Sequence, residues 1–138
     1  KKASDFYLKQ IPNHLKLSFV EVKPTASKSM SRGDAIQNES SEISKHIDHA
    51  AHVILWDRKG DFISSEGLAR LFQEKIDLSE NMNMIIGGAY GVSEEIESKA
   101  DIILSASQLT FPHRLFKILL MEQIYRASAI NRNHPYHK

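Results

Sequence analysis

Short apolar runs alternating with capped, helically periodic segments constrain this chain more than any other feature. The runs are Leu15–Val22 (LKLSFVEV), His52–Asp57 (HVILWD), Met82–Gly87 (MNMIIG) and Asp101–Ala106 (DIILSA). They are too short for buried helices, and apolar residues point to both sides, as in strands covered on both faces. Between them lie helical patterns. Residues 2–11 carry Phe6, Tyr7 and Ile11 on one side. Asp34 is placed to cap a helix with Ile36, Ile43, Ile47 and Ala50 in one stripe. Ser64 or Ser65 opens a helix with Leu68, Leu71, Phe72 and Ile76 inward, and Ser93 caps a short one. Thr110 caps the last helix, with Pro112 in its first turn. Residues 23–33, rich in Ser and Lys, read as a loop. Strand–helix alternation of this kind predicts an α/β fold, a parallel sheet with helices on both faces. At 138 residues the chain is expected to form a single domain, residues 1–138.

The last helix departs from ordinary amphipathicity. From Leu115 to Ile130 apolar residues occur nearly all round it, and one small sheet cannot cover every face. A second copy of the chain is the expected cover. Glu122 and Arg126 lie one turn apart and are placed to pair there. The chain carries a net charge of only +1, unevenly spread. Residues 61–101 hold 3 Lys/Arg against 9 Asp/Glu, whereas residues 109–138 hold 5 against 1. A basic C-terminal segment in a near-neutral protein suits a local polyanion contact, or simply a solvated face. The absence of cysteine removes disulfides, thiolate nucleophiles and Cys-ligated zinc. No apolar run approaches the roughly 20 residues of a membrane-spanning helix, and no secretory signal opens the chain. A cytoplasmic protein without a membrane partner is expected.

Three strand ends carry ligand-binding potential, because open parallel sheets bind ligands beyond the carboxyl ends of their strands. The turn Gly87-Gly88-Ala89-Tyr90-Gly91 lacks the G-x-G-x-x-G spacing of a dinucleotide site. The helix after it begins Ser93-Glu94-Glu95, with Glu97 next, and carboxylates there repel a pyrophosphate. An acidic neighbourhood suits a ligand carrying positive charge and no phosphate. The segment Leu104 to Leu109, with Ser105 and Ser107 alternating, exposes backbone to a flat ring. Trp56-Asp57-Arg58-Lys59-Gly60 follows a third strand. Each also has a plain structural reading, as a tight turn, a capped helix or a strand-to-helix loop. His46, His49 and His52 are spaced by three, but His52 falls on the next strand and no zinc pattern surrounds them, so no metal is expected.

Four motifs occur in order: Ile86-Gly87-Gly88-x-x-Gly91, Ser105-x-Ser107-x-x-Thr110-Phe111-Pro112-His113, Glu122-Gln123-x-Tyr125-Arg126-Ala127 and the closing Pro135-Tyr136-His137-Lys138. With them the chain resembles the ribosomal RNA large subunit methyltransferase H family, small SPOUT-class enzymes that methylate N3 of a pseudouridine in 23S ribosomal RNA. The resemblance implies a C-terminal trefoil knot, a rare exception to unknotted topology. It implies a homodimer with the active site between subunits, acting on the assembled ribosome. It implies S-adenosyl-L-methionine held by loop backbone centred on Trp56, Gly87, Gly88, Leu104, Ser105 and Leu109. His113, Arg126, Tyr136 and His137 are the catalytic group that it implies. The family pattern also opens with a strand ahead of the first helix, and this sequence begins inside that helix, so an interior strand is expected to be missing here.

The chemistry is consistent with that group. The N3–H of a pseudouridine is a weak imide acid that must lose its proton to attack a methyl group, a task for a base titrating near neutrality such as His137. Arg126 suits the oxygen on which charge develops, and Tyr136 the orientation of base or ring. Two other classes remain open on the sequence alone: a non-catalytic nucleotide- or RNA-binding module on the same fold, and a metal-dependent hydrolase built on His46, His49 and His52.

Overall fold

A computed structural model describes Phe6 and residues 17–20, 31–47, 50–86, 92–109, 111–133 and 135–136. The elements are β1 (Leu17–Val20), α1 (Arg32–His46), β2 (His52–Phe62), α2 (Ser65–Asp77), β3 (Met82–Ile86), α3 (Glu94–Lys99), β4 (Ile102–Ser105) and α4 (His113–Asn131). They fall into two compact units, one of residues 17–62 and 82–109, the other of residues 1–16, 63–81 and 110–138.

The first unit is built on a four-stranded sheet in the order β1-β3-β2-β4, and every pairing is parallel. The alternation of strands and helices imposes this, because a parallel neighbour requires a crossover between strands. All five residues of β3 are buried, and so are Val53 to Trp56 in β2. One face is sealed by a cluster of Ile43 and Ile47 from α1 and its end, Val53, Leu55, Ile85, and Ile96 from α3. Polar contacts fix the two helices. The Ser93 N–H donates to Ser40 Oγ (2.9 Å), and Ser93 Oγ in turn accepts from the Ile96 N–H (3.4 Å) as the N-cap of α3. Asp101 extends the β2–β4 pairing: the Val53 N–H donates to Asp101 Oδ2 (2.7 Å), and the Asp101 N–H to the Val53 carbonyl (2.8 Å).

Several boundaries differ from the sequence expectation. Helix α1 starts earlier, because Ser31 is its N-cap, and Asp34 instead donates its N–H to Ser31 Oγ (3.1 Å). Its stripe ends at Ile47; Ala50 lies beyond the helix and is exposed. Strand β2 runs five residues past Asp57. Trp56 and Asp61 both face Leu104, so residues 57–60 form an excursion before the chain rejoins β4 at Phe62 and Ser105. The Lys59 N–H donates to Asp57 Oδ1 (2.9 Å) to close that excursion. Gly60 permits the return, since a Cβ there would lie 2.7 Å from the Ile103 carbonyl carbon and oxygen.

The second unit pairs α2 with α4. Ser64 caps α2 by accepting the Gly67 N–H (2.9 Å), and Leu68, Ala69 and Phe72 form its buried face, with Leu71 and Ile76 only partly covered. The Asn131 side-chain amide donates to the Ala69 carbonyl (2.9 Å), and Ser65 Oγ donates to Gln123 Oε1 (2.5 Å). Pro112 is itself the N-cap of α4 and has no side chain to accept a bond there; Thr110 lies outside the described residues. Leu120, Met121, Ile124, Ala127 and Ala129 are buried, whereas Leu115 and Leu119 remain 44% and 40% exposed. At the far end Asn133 takes a left-handed conformation (φ 57°) and donates its N–H to the Ile130 carbonyl (3.1 Å), a helix-ending turn that Asn tolerates well. That turn sends the tail back along α4.

Candidate active site

Trp56 was expected just at a strand end, but β2 runs on to Phe62, so Trp56 lies within the strand. It is the register partner of Leu104 near the end of β4, and both are buried, as is Ser105. Ser105 Oγ donates to the Ser107 carbonyl (3.1 Å), and Ser107 Oγ accepts the Leu109 N–H (3.0 Å). Both serine hydroxyls therefore help to shape the loop. Leu109 is 70% exposed at the loop's end. Gly87 and Gly88 lie outside the described residues. Glu94, Glu95 and Glu97, all exposed, occupy the first turn of α3.

The helical unit gathers a second cluster where the returning tail meets α4. Arg126 binds Glu122 through two parallel bonds, Nε to Oε1 (3.1 Å) and Nη2 to Oε2 (2.8 Å). Tyr136 Oη donates to the same Oε2 (3.1 Å). The Tyr136 ring packs edge-on against Tyr125 at 4.6 Å, and the Arg126 guanidinium carbon sits 4.9 Å from its centroid. The pairing anticipated for Glu122 and Arg126 is present, and the structure adds Tyr136 to it.

Over residues 1–137 the chain matches the family described as predicted SPOUT methyltransferase. A protein of Caldicellulosiruptor bescii is 36% identical over 138 residues, spanning 99% of this chain and 90% of its own length. One from Clostridium novyi is 38% identical over 143 residues, spanning 100% and 90%, and one from Dechloromonas aromatica 36% over 132 residues, spanning 96% and 85%. All three are named ribosomal RNA large subunit methyltransferase H. This chain belongs to the SPOUT methyltransferase family.

Membership in the SPOUT methyltransferase family implies a methyl donor. Trp56 and Leu104 are buried, Ser105 is turned into its own loop, and none of the three carries a charge. Of the residues proposed for catalysis, the structure joins Arg126 and Tyr136 directly. It does not join His113 to them within one chain. His113 is the first residue of α4, thirteen positions before Arg126, so the helical rise separates them by roughly 20 Å. The side chain of His113, and His137 altogether, lie outside the described residues.

His46 ends α1 and is exposed, while His52 opens β2 with Nδ1 3.8 Å from Asp101 Oδ2. His49 is outside the described residues. Among the described residues no group of three or more His, Asp or Glu could hold a metal ion, and no helix is long and apolar enough to cross a membrane.

Two features were not read from the sequence. Gly60 stands in DRKGDF, which reads as a turn, although its role is to let β2 close onto β4. The bond from Tyr136 to Glu122 joins residues fourteen positions apart, and the only hint of it was the company of E-Q-x-Y-R-A and P-Y-H-K in one short segment.

Proposed function

We propose that the chain transfers a methyl group from S-adenosyl-L-methionine to N3 of a pseudouridine in 23S ribosomal RNA of the assembled ribosome, as a cytoplasmic homodimer. The observation that carries this reading is the full-length likeness to proteins named ribosomal RNA large subunit methyltransferase H. Both compact units belong to one methyltransferase domain, residues 1–138, with the trefoil knot in its C-terminal half.

Backbone at Trp56, Gly87, Gly88, Leu104, Ser105 and Leu109 holds the cofactor, and the carboxylates that open α3 favour its positive charge. When bound, S-adenosyl-L-methionine supplies a methyl group already activated on a sulfonium. His137 takes the N3 proton, Arg126 stabilises the oxygen on which negative charge develops, and Tyr136 orients the reacting base. Rate enhancement then rests chiefly on holding N3 in line with the methyl group.

The separation along α4 supports a site shared between two chains. Leu119 lies midway between His113 and Arg126, and with Leu115 it forms the exposed apolar stripe of the helix. An antiparallel pairing of two α4 helices about Leu119 covers that stripe. The same pairing sets His113 of one chain level with Arg126 of the other.

Calorimetric titration of the full-length protein with S-adenosyl-L-methionine, with NAD as control, tests the reading, followed by methyl transfer to ribosomes. Binding of the first ligand alone, and a methylated pseudouridine in 23S RNA, are the expected results. Methylation of free RNA but not ribosomes would overturn the assigned substrate. Absence of both binding and transfer would overturn the enzyme.

A further inference from the structure

We infer that Glu122 is a positioning residue of the methyl-transfer site, holding Arg126 and Tyr136 in one working geometry; the inference rests on the function proposed above. An ionised carboxylate offers about four lone-pair sites and no donor. Here four are filled. Oε1 accepts from Arg126 Nε (3.1 Å) and from Gln123 Nε2 (3.1 Å), and Oε2 accepts from Arg126 Nη2 (2.8 Å) and Tyr136 Oη (3.1 Å). An ordinary exposed helix pair one turn apart uses one or two of these and leaves its carboxylate to water. The side chains of Arg126 and Glu122 are only 24% and 17% exposed.

The carboxylate is also braced from a second helix. Ser65 Oγ, at the start of α2, donates to Gln123 Oε1 (2.5 Å), which turns the Gln123 amide toward Glu122. The bidentate bond fixes the guanidinium plane, and the second contact of Oε2 fixes where the Tyr136 hydroxyl points. The Tyr136 ring then rests between Tyr125 and the Arg126 guanidinium, so the two residues assigned to catalysis hold one another only while Glu122 holds both. Glu122 reaches no reacting atom in this account; it acts through Arg126 and Tyr136.

Glu122→Gln keeps the shape but places an amide N–H₂ where one set of donors needs an acceptor. In the full-length protein, kcat for ribosome methylation is expected to fall roughly 10- to 100-fold, the scale of losing a charge-assisted hydrogen bond. The KM for S-adenosyl-L-methionine should stay near that of the wild type, while the melting temperature falls by a few degrees. A double-mutant cycle with Tyr136→Phe should be sub-multiplicative, with E122Q costing at least about threefold less in the Y136F background. Nuclear magnetic resonance gives a readout independent of activity: the ring-to-ring contact of Tyr125 and Tyr136 should be lost in E122Q. A wild-type kcat in folded E122Q, or full multiplicativity in the cycle, would overturn the inference. If E122Q does not fold, E122D retains the charge but withdraws it from both partners, and a wild-type kcat there overturns the inference equally. If the wild type itself fails to methylate ribosomes, the proposed function falls. The ring contact then decides this inference alone: its loss in E122Q upholds the positioning role, and its persistence refutes it.

Discussion

Replacing Gly60 by Ala tests how closely the excursion in β2 governs the segment proposed to bind the cofactor. A Cβ at this position would sit 2.7 Å from the carbonyl carbon and oxygen of Ile103 and 2.8 Å from the carbonyl carbon of Leu104. Carbon atoms in contact prefer about 3.5 Å or more, so the overlap is close to 1 Å. The atoms encountered are backbone, and no flexible side chain can swing away. Forcing extra volume into a packed site costs about 1–3 kcal/mol. Against this, Ala gains about 0.5–1 kcal/mol over Gly in a strand. The net loss is about 1–2 kcal/mol, or about 4–8 °C in melting temperature for a chain of this size. Leu104 is one of the positions proposed to hold S-adenosyl-L-methionine, so the displacement should also weaken binding roughly tenfold. Gly33→Ala is the matched control. Its Cβ meets nothing closer than Ser31 Oγ at 4.0 Å, and it lies in the exposed first turn of α1. There the same substitution should stabilise by about 0.5 kcal/mol. Urea denaturation and calorimetric titration of both variants decide the matter. A G60A protein as stable as G33A, with wild-type affinity, would refute the close approach of Gly60 to β4.

Two further substitutions probe the proposed catalytic arrangement. His137→Ala should abolish methyl transfer to ribosomes while leaving S-adenosyl-L-methionine affinity within a few-fold, and a large loss of affinity in calorimetry would move His137 to the binding group. Leu119→Glu should leave the single chain folded, because Leu119 is already 40% exposed, yet should yield monomers in analytical ultracentrifugation and remove activity. An active monomer would end the argument for a site shared between chains.

The fold was legible because its signals are local. Four apolar runs gave four strands, and Ser64 and Ser93 cap the helices that their positions predicted. Errors fell where tertiary contact overrides local preference. Nothing in Asp57-Arg58-Lys59-Gly60 announces that the strand resumes; it does so because Asp61 and Phe62 pair with β4, a partner more than forty residues away. Ser31 displaced Asp34 as the cap of α1 because both residue types cap helices well, and no pattern nearby distinguishes them. Glu39 and Ser40 are buried despite their polarity. Ser40 is there because the Ser93 N–H needs an acceptor.

The candidate site divides in the same way, and the division follows from how each half works. Where backbone is to do the binding, side chains record only permission: small residues at turns and hydroxyls that close loops, as Ser105 and Ser107 do. Such a pattern is shared with many turns, and only four motifs together made it specific. Where side chains do the chemistry, types and spacing carry more. Glu122 and Arg126 announce a bidentate pair by standing one turn apart on a helix. The addition of Tyr136 was hidden because it depends on Asn133 reversing the chain, a single left-handed residue that redirects the tail onto α4. His113 marks the limit of reasoning from one chain. The family resemblance groups it with Arg126, yet both stand on one rigid helix roughly 20 Å apart. A straight helix cannot bring its own ends together. If both residues serve one reaction, the symmetry of a dimer has to unite them, and the exposed leucine midway between them is where that axis would pass.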